Sequence, residues 1–302
     1  MIDRPSAARR AYRIGRKRVK RASSHVLLWA LRLRNRFTRE SALGASEVVV
    51  SLTSYGSRLR TVAYAIESIA SGSARPRRLI LWLDDEAAYA RRPRALRRLE
   101  ARGLEVRVTV NYGPHTKYFP TLGDALRDHL ALVTADDDIL YPRSWLSRLL
   151  SAAAVEAEAV SCYRAAVATP AGDRLAPYNS WPRCTDDRPS LAHLATGVSG
   201  VYYPRQMLHA LAERGTDFQR WSPKADDIWL HWVALRAGVA VRQISRVPRH
   251  FPYIPGTQAT SLVAQNVGQA ANDVPIRALY EKRDVARIAE AVGRLTGGSG
   301  TG

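Results

Sequence analysis

Val133-Thr134-Ala135-Asp136-Asp137-Asp138-Ile139-Leu140-Tyr141-Pro142 is the stretch that decides how this chain is read. The run Leu130 to Thr134 is apolar and of strand length, and three carboxylates follow it at once. Like charges so close repel and raise one another's pKa. One aspartate is explained as the cap of a helix introduced by Tyr141-Pro142; three are not. A divalent cation removes the repulsion, and oxygen ligands suit Mg²⁺ or Mn²⁺, which keep positions open for substrate phosphates. In an extended stretch Asp136 and Asp138 point to one side, as metal ligands, and Asp137 to the other.

Outward from this stretch, strands and helices alternate. Glu47 to Leu52, Leu79 to Leu83 and Leu104 to Val108 read as strands. Helices are expected after Thr61, where Val62, Ile66 and Ile69 recur at i, i+4 and i+7 until Gly72, then over Pro93 to Arg102 and Thr121 to His129. Further on, Ala159 to Tyr163, Val198 to Tyr203 and Val239 to Ile244 read as strands, and Pro204 to Arg214, Ala225 to Ala237 and Val274 to Arg294 as helices. Pro248, Pro252, Pro255 and Gly256 make 245–260 a loop. Such alternation implies an α/β fold, with a mostly parallel central sheet, helices on both faces, and ligands beyond the carboxyl ends of the strands.

The chain has 302 residues, 46% of them hydrophobic, enough for one large α/β domain or two small ones. Its charge of +19 is uneven: residues 1–40 hold thirteen Lys/Arg against Asp3 and Glu40. Residues 1–44 are read as a basic arm, 45–294 as the domain, in two halves of 45–143 and 144–294, and 295–302 as a flexible tail. The apolar run Val26 to Leu31 is too short to span a bilayer, and no cleavage site follows it. A cytoplasmic protein is expected, peripheral on the inner membrane face through residues 1–40; the alternative is a solvated tail. Cys162 and Cys184 lack metal-site spacing and are expected to be reduced.

Ser51-Leu52-Thr53-Ser54-Tyr55, Tyr112-Gly113-Pro114-His115-Thr116-Lys117-Tyr118, Asp136-Asp137-Asp138-Ile139-Leu140-Tyr141-Pro142 and Ala225-Asp226-Asp227-Ile228-Trp229-Leu230 occur in this order. Together they resemble the GT-A class of nucleotide-diphospho-sugar glycosyltransferases, nearest to a bacterial, family-2-like group, over about 45–285. The resemblance implies a hexosyltransferase that uses a nucleotide diphosphate sugar, Mn²⁺ or Mg²⁺, and a hydroxyl acceptor on a cell-envelope glycan or lipid. It places Thr53, Tyr55 and Arg58 at the nucleobase and ribose, with Asp84, Lys117 and Asp137 in the same nucleotide-sugar site. Tyr55 has the alternative of a core aromatic at a turn, and Asp84 and Asp85 that of helix-capping surface acids. Lys117 follows the third strand, within reach of phosphate charge, or is a solvated loop lysine. The resemblance makes Asp227 the general base and Asp226 its partner, although two acids in a first helical turn are also what the helix dipole favours. Gly197 and Gly200 are implied on the acceptor side, or else pack a strand, and His250 is implied as a third metal ligand, or else is a loop residue.

Two rivals remain. A nucleotidyltransferase shares metal carboxylates on an α/β sheet, but Ser54-Tyr55-Gly56-Ser57-Arg58 has one glycine where a triphosphate cradle needs several. A nucleic-acid binder fits the charge, but the core carries no zinc knuckle or RRM signature and its acid clusters repel phosphate without metal, so no specific nucleic acid is expected.

Overall fold

The computed structural model describes residues 24–257 and 271–297. Eleven strands are described: β1 Ser46–Thr53, β2 Pro76–Leu83, β3 Leu104–Val108, β4 Ala131–Thr134, β5 Val160–Cys162, β6 Ala165–Val167, β7 Pro170–Ala171, β8 Arg174–Leu175, β9 His193–Ala195, β10 Val201–Tyr203 and β11 Val241–Gln243. Helices are α1 over 24–37, α2 Val62–Ala70, α3 Glu86–Ala90, α4 Arg94–Glu100, α5 Leu122–Arg127, α6 Trp145–Val155, α7 Arg205–Arg214, α8 Phe218–Trp221, α9 Asp226–Ala237, α10 Asp273–Leu279 and α11 Lys282–Gly297.

Seven strands form the central sheet in the order β11-β5-β10-β4-β1-β2-β3. Only β10 runs against the others, pairing antiparallel with β4 and β5. The mostly parallel sheet flanked by helices is the expected architecture. β1 shows why both faces must be covered. Val48, Val50 and Leu52 enter one core with Val62, Ile66 and Ile69 of α2 and Trp145 and Leu149 of α6. Val49, one residue out of phase, enters the other with Leu122 of α5, Met207 of α7 and Ile228 of α9. A strand buried on both sides is a continuous apolar run rather than an alternating one.

The chain leaves β1 toward β2 on one side, whereas β4 lies on the other. This reversal opens a crevice at the carboxyl ends of β1 and β4, the position at which open α/β sheets bind ligands.

Three expectations are corrected. Residues 24–44 are not a free arm: Leu31 of α1 packs on Ala65, Leu140 and Ile254, and Asn35 donates to Glu67 Oε2 at 3.2 Å and to the Ala95 carbonyl at 3.1 Å. Residues 1–23 lie outside the described residues. The single helix expected over Val274 to Arg294 is two, α10 and α11, because Tyr280 is extended. Asp284 accepts from the Glu281 N–H at 2.9 Å and so starts a new helix. That second helix also continues to Gly297, into the expected tail, of which 298–302 lie outside the described residues. Finally, α3 intervenes after β2, capped by Asp85, which accepts from the Ala87 N–H at 2.7 Å. No described helix is long and apolar enough to cross a membrane.

Candidate active site

A cavity of about 350 Å³ occupies the crevice. Its walls come from the segments after β1 (Thr53, Tyr55, Arg58), after β3 (Pro114, Lys117), after β4 (Ala135 to Asp138) and from the first turn of α9 (Asp226, Asp227). Four of the sequence strings therefore meet in one place although they are far apart in the chain.

The acidic turn is held by backbone pairing rather than by a helix. Ile254 N–H donates to the Asp138 carbonyl at 2.7 Å and Leu140 N–H to the Pro252 carbonyl at 2.9 Å, which stitches the turn to the Pro-rich segment. Asp136 N–H donates to the Tyr141 hydroxyl at 2.7 Å. The capping explanation fails: α6 begins at Trp145 after Ser144, and no side-chain cap is made there.

The turn also changes the expected alternation of side chains. Asp137 and Asp138 lie in a tight turn, not an extended strand, and both face Arg58, at 2.7 Å and 3.4 Å. Asp137 accepts in addition from Ser54 Oγ at 2.7 Å. Asp137 and Arg58, expected to hold nucleotide, thus hold each other and fasten the loop after β1 to the loop after β4. Burial, opposed by Arg58, raises the Asp137 pKa. Burial pushes the Asp136 pKa up to about 7, with the charges of Asp138, Asp137 and Asp226 adding to it and Lys117 opposing.

Lys117 is placed by its neighbours in sequence. His115 is buried, stacked on Phe218 with centroids 4.2 Å apart; its ring nitrogens meet the Tyr118 hydroxyl and the Ser222 carbonyl, each at 2.8 Å. With His115 and Tyr118 anchored inward, Lys117 enters the cavity and its Nζ lies 2.8 Å from Asp226 Oδ2 and 3.9 Å from Asp136 Oδ1. Burial opposes the Lys117 charge, but these carboxylates outweigh it and hold its pKa well above the ordinary value.

Asp226 and Asp227 do not cap their own helix, whose N-cap residue, Ala225, makes no side-chain cap bond. Asp226 pairs with Lys117. Asp227 Oδ1 accepts from the Gly197 N–H at 3.0 Å, and among the described residues no cation lies within ion-pair distance of it. Burial and the neighbouring Asp226 raise its pKa. Gly197 is needed for close approach: a Cβ there would stand 2.7 Å from Lys117 Nζ and 3.1 Å from Asp227 Oδ1.

Other expected residues fall outside. Asp84 accepts from Asn111 Nδ2 at 2.6 Å and lines no part of the cavity. Gly200, at φ +94°, faces the Trp145 ring, which a Cβ would approach to 2.6 Å; this is the packing role given as its alternative, and Gly200 does not line the cavity. His250 is exposed and does not itself line the cavity, but meets edge-on, at 4.8 Å, the ring of Tyr253, which does. Thr53 and Tyr55 line the cavity, and Tyr55 is exposed at its mouth, not in the core.

The cavity adds Arg164, Tyr178, Thr196, Tyr253 and Asn272, which the sequence did not point to. Arg164 had a signal, since it closely follows β5, whose carboxyl end lies on the same edge of the sheet as that of β4. No described carboxylate pairs with it. Tyr178 opens a short 3-10 helix and Asn272 is the N-cap residue of α10, in segments without a sequence pattern.

Among the described residues no three His, Cys, Asp or Glu side chains are gathered as a metal cage. Asp136 and Asp138 nonetheless fit a hard cation that takes its remaining ligands from phosphate and water. They supply two carboxylates at the cavity wall, and the ion-pair partner of Asp136 among the described residues, Lys117, stands 3.9 Å away and is engaged more closely, at 2.8 Å, by Asp226.

No protein-family model matches the chain, and no curated protein matches it in sequence. Solved structures similar to it include a mannosyltransferase, PcManGT from Pyrobaculum calidifontis in complex with GDP-Man and Mn²⁺, at 17% identity over 95% of this chain and 86% of that one, TM-score 0.43. S. aureus TarS 1–349 in complex with UDP is 14% identical over 84% and 72%, TM-score 0.48. A CMP:2-keto-3-deoxy-manno-octonic acid synthetase complexed with CTP is 13% identical over 76% and 100%, TM-score 0.40. Likenesses of this degree assign neither an activity nor a ligand to this chain.

Proposed function

We propose that the chain is a GT-A-type glycosyltransferase that moves a hexose-type sugar from a nucleotide diphosphate donor to a hydroxyl of a cell-envelope glycan or lipid. The observation that carries the reading is the shared cavity. Metal-competent acids after β4, a lysine after β3 and a buried carboxylate without a cation on α9 surround one space at the switch point of the sheet. Asp136 and Asp138 would hold Mn²⁺ or Mg²⁺, which when bound neutralises charge on the leaving diphosphate. Lys117 and Arg164 are placed to meet phosphate oxygens. Thr53 and Tyr55 line the side on which the base and ribose would lie, and the Arg58–Asp137 pair holds that loop in place.

Asp227 is the general base. It takes the proton of the acceptor hydroxyl as the sugar carbon is attacked, and a carboxylate with a raised pKa does this better at neutral pH than an ordinary one. Asp226 is engaged by Lys117 and serves to position it. Incubation with a panel of nucleotide sugars and Mn²⁺, reading release of nucleoside diphosphate, tests the proposal; metal-dependent release with at least one donor is expected. No release with any donor, together with pyrophosphate release from a nucleoside triphosphate and a sugar phosphate, would overturn it in favour of nucleotidyl transfer.

A further inference from the structure

Helix α1 has two apolar faces, and the domain uses one of them. Leu28, Leu31 and Asn35 face inward, where Leu31 is buried against Ala65, Leu140 and Ile254. Val26, Trp29, Leu33 and Phe37 recur at i, i+3, i+7 and i+11, which puts them on the opposite face. They are 71%, 62%, 52% and 72% exposed. Scattered apolar residues on a surface are ordinary, but a stripe of four on one helix marks a contact surface. Arg32 and Arg36 flank it, their guanidinium groups 5.4 Å from the Trp29 ring and 5.9 Å from the Phe37 ring. Residues 1–23, directly ahead of the helix, carry nine Lys/Arg against Asp3.

We propose that this outer face of α1 docks on an anionic lipid bilayer, with Trp29, Leu33 and Phe37 entering the headgroup and acyl boundary and Arg32 and Arg36 at the phosphates. Aromatic and aliphatic side chains beside arginines suit that interface, which offers hydrocarbon below and anions above. Charge complementarity decides against a second copy of this chain as the occupant, since the flanking charge is all of one sign. Because Leu31 rests on Leu140 and Ile254, and Ile254 N–H bonds the Asp138 carbonyl, the docked helix lies next to the acidic turn. Resting on the function proposed above, this places the cavity where a lipid-linked acceptor would be presented; the docking itself does not depend on that function.

Sedimentation of the full chain with vesicles tests it. Binding is expected to phosphatidylcholine vesicles containing phosphatidylglycerol and to be far weaker without it. Trp29→Ser/Leu33→Ser/Phe37→Ser should keep its melting temperature and lose affinity about tenfold per side chain removed. A second readout stands apart from the stability of that variant. An environment-sensitive fluorophore on Leu33→Cys should shift to the blue with anionic vesicles, whereas one on Val155→Cys, exposed at the end of α6, should not; native Cys162 and Cys184 are buried. Unchanged vesicle affinity in the triple variant, or no shift at position 33, overturns the proposal and leaves the charge of residues 1–40 as the whole of any binding. Loss of a dimer in the triple variant without any vesicle binding by the parent chain overturns it in favour of a second copy.

Discussion

Two clusters of buried charge in this protein differ in balance. Glu67 of α2 is fully buried, and Arg102 grips it with two bonds of 2.8 Å and 3.0 Å while Arg34 stands at 3.1 Å and Asn35 donates a further hydrogen bond. Both carboxylate oxygens are satisfied, and the cluster ties α1 and the end of α4 to α2. In the cavity five carboxylates, Asp136, Asp137, Asp138, Asp226 and Asp227, face Arg58, Lys117 and Arg164. The first cluster is complete and serves the fold. The second holds more carboxylates than cations among the described residues, and the proposed cation site rests on that imbalance.

The largest effect should come from Asp227, which has no partner within ion-pair distance among the described residues. Asp227→Asn is expected to keep donor affinity and lose roughly 10²–10⁴ in turnover, the usual worth of a general base. Measuring kcat and nucleoside diphosphate affinity side by side checks it; near-full turnover would return the residue to the role of a helix-start acid.

Glu67→Gln should do the reverse. Removing one partner of a buried ion pair leaves the other uncompensated, at a cost of about 3–5 kcal/mol, so chemical denaturation should show a large loss of stability while turnover per folded molecule is retained.

Asp136→Asn sharpens the contrast through pH. A pKa raised to about 7 from 3.8 means that the folded state binds this proton more tightly than the unfolded one. Asp136 therefore penalises the metal-free fold above pH 7, and the penalty is relieved as pH falls toward about 4. The variant should be more stable than the parent at pH 8, by a few kcal/mol at about 1.4 kcal/mol per pKa unit, and the gap should close on acidification. His115 and His231, both held near 4 by burial, act oppositely: they withdraw stability as pH falls from 6.5 to 4. They are common to both proteins and cancel in the difference. Equal stability across the range would show that Asp136 is already compensated.

The smallest separation is between two glycines. Gly197→Ala should push Lys117 away from Asp226 and lower turnover about tenfold with little change in melting temperature. Gly200→Ala, at a positive φ and against a buried tryptophan ring, should instead cost stability of about 1 kcal/mol or more.

The sequence showed the strands of the sheet because buried parallel strands are continuous apolar runs, and their alternation with helices implied mostly parallel pairing; the strand order, with β10 antiparallel between β4 and β5, is seen only in the structure. It showed Asp136 and Asp138 because three acids after an apolar strand need a reason. It put Asp137 and Arg58 at the cavity but did not show that they pair with each other, since that contact depends on a turn that one-dimensional alternation does not encode. Asp84, Gly200 and His250 were assigned by resemblance; Asp84 and Gly200 meet Asn111 and Trp145 outside the cavity, and His250 stands beside Tyr253, a lining residue, without lining the cavity itself. The inward face of α1 escaped because Glu67 and Arg102, which hold Asn35 and Arg34, are distant in the chain.

Calorimetric titration of UDP and GDP into the protein, with and without Mn²⁺, tests most directly whether the unbalanced acids are a cation-dependent diphosphate site. Binding of at least one nucleotide is expected only with Mn²⁺, and it should be lost in both Asp136→Ala and Asp138→Ala, each of which should remain folded. Equal binding without metal, or unchanged affinity in both variants, would contradict the account.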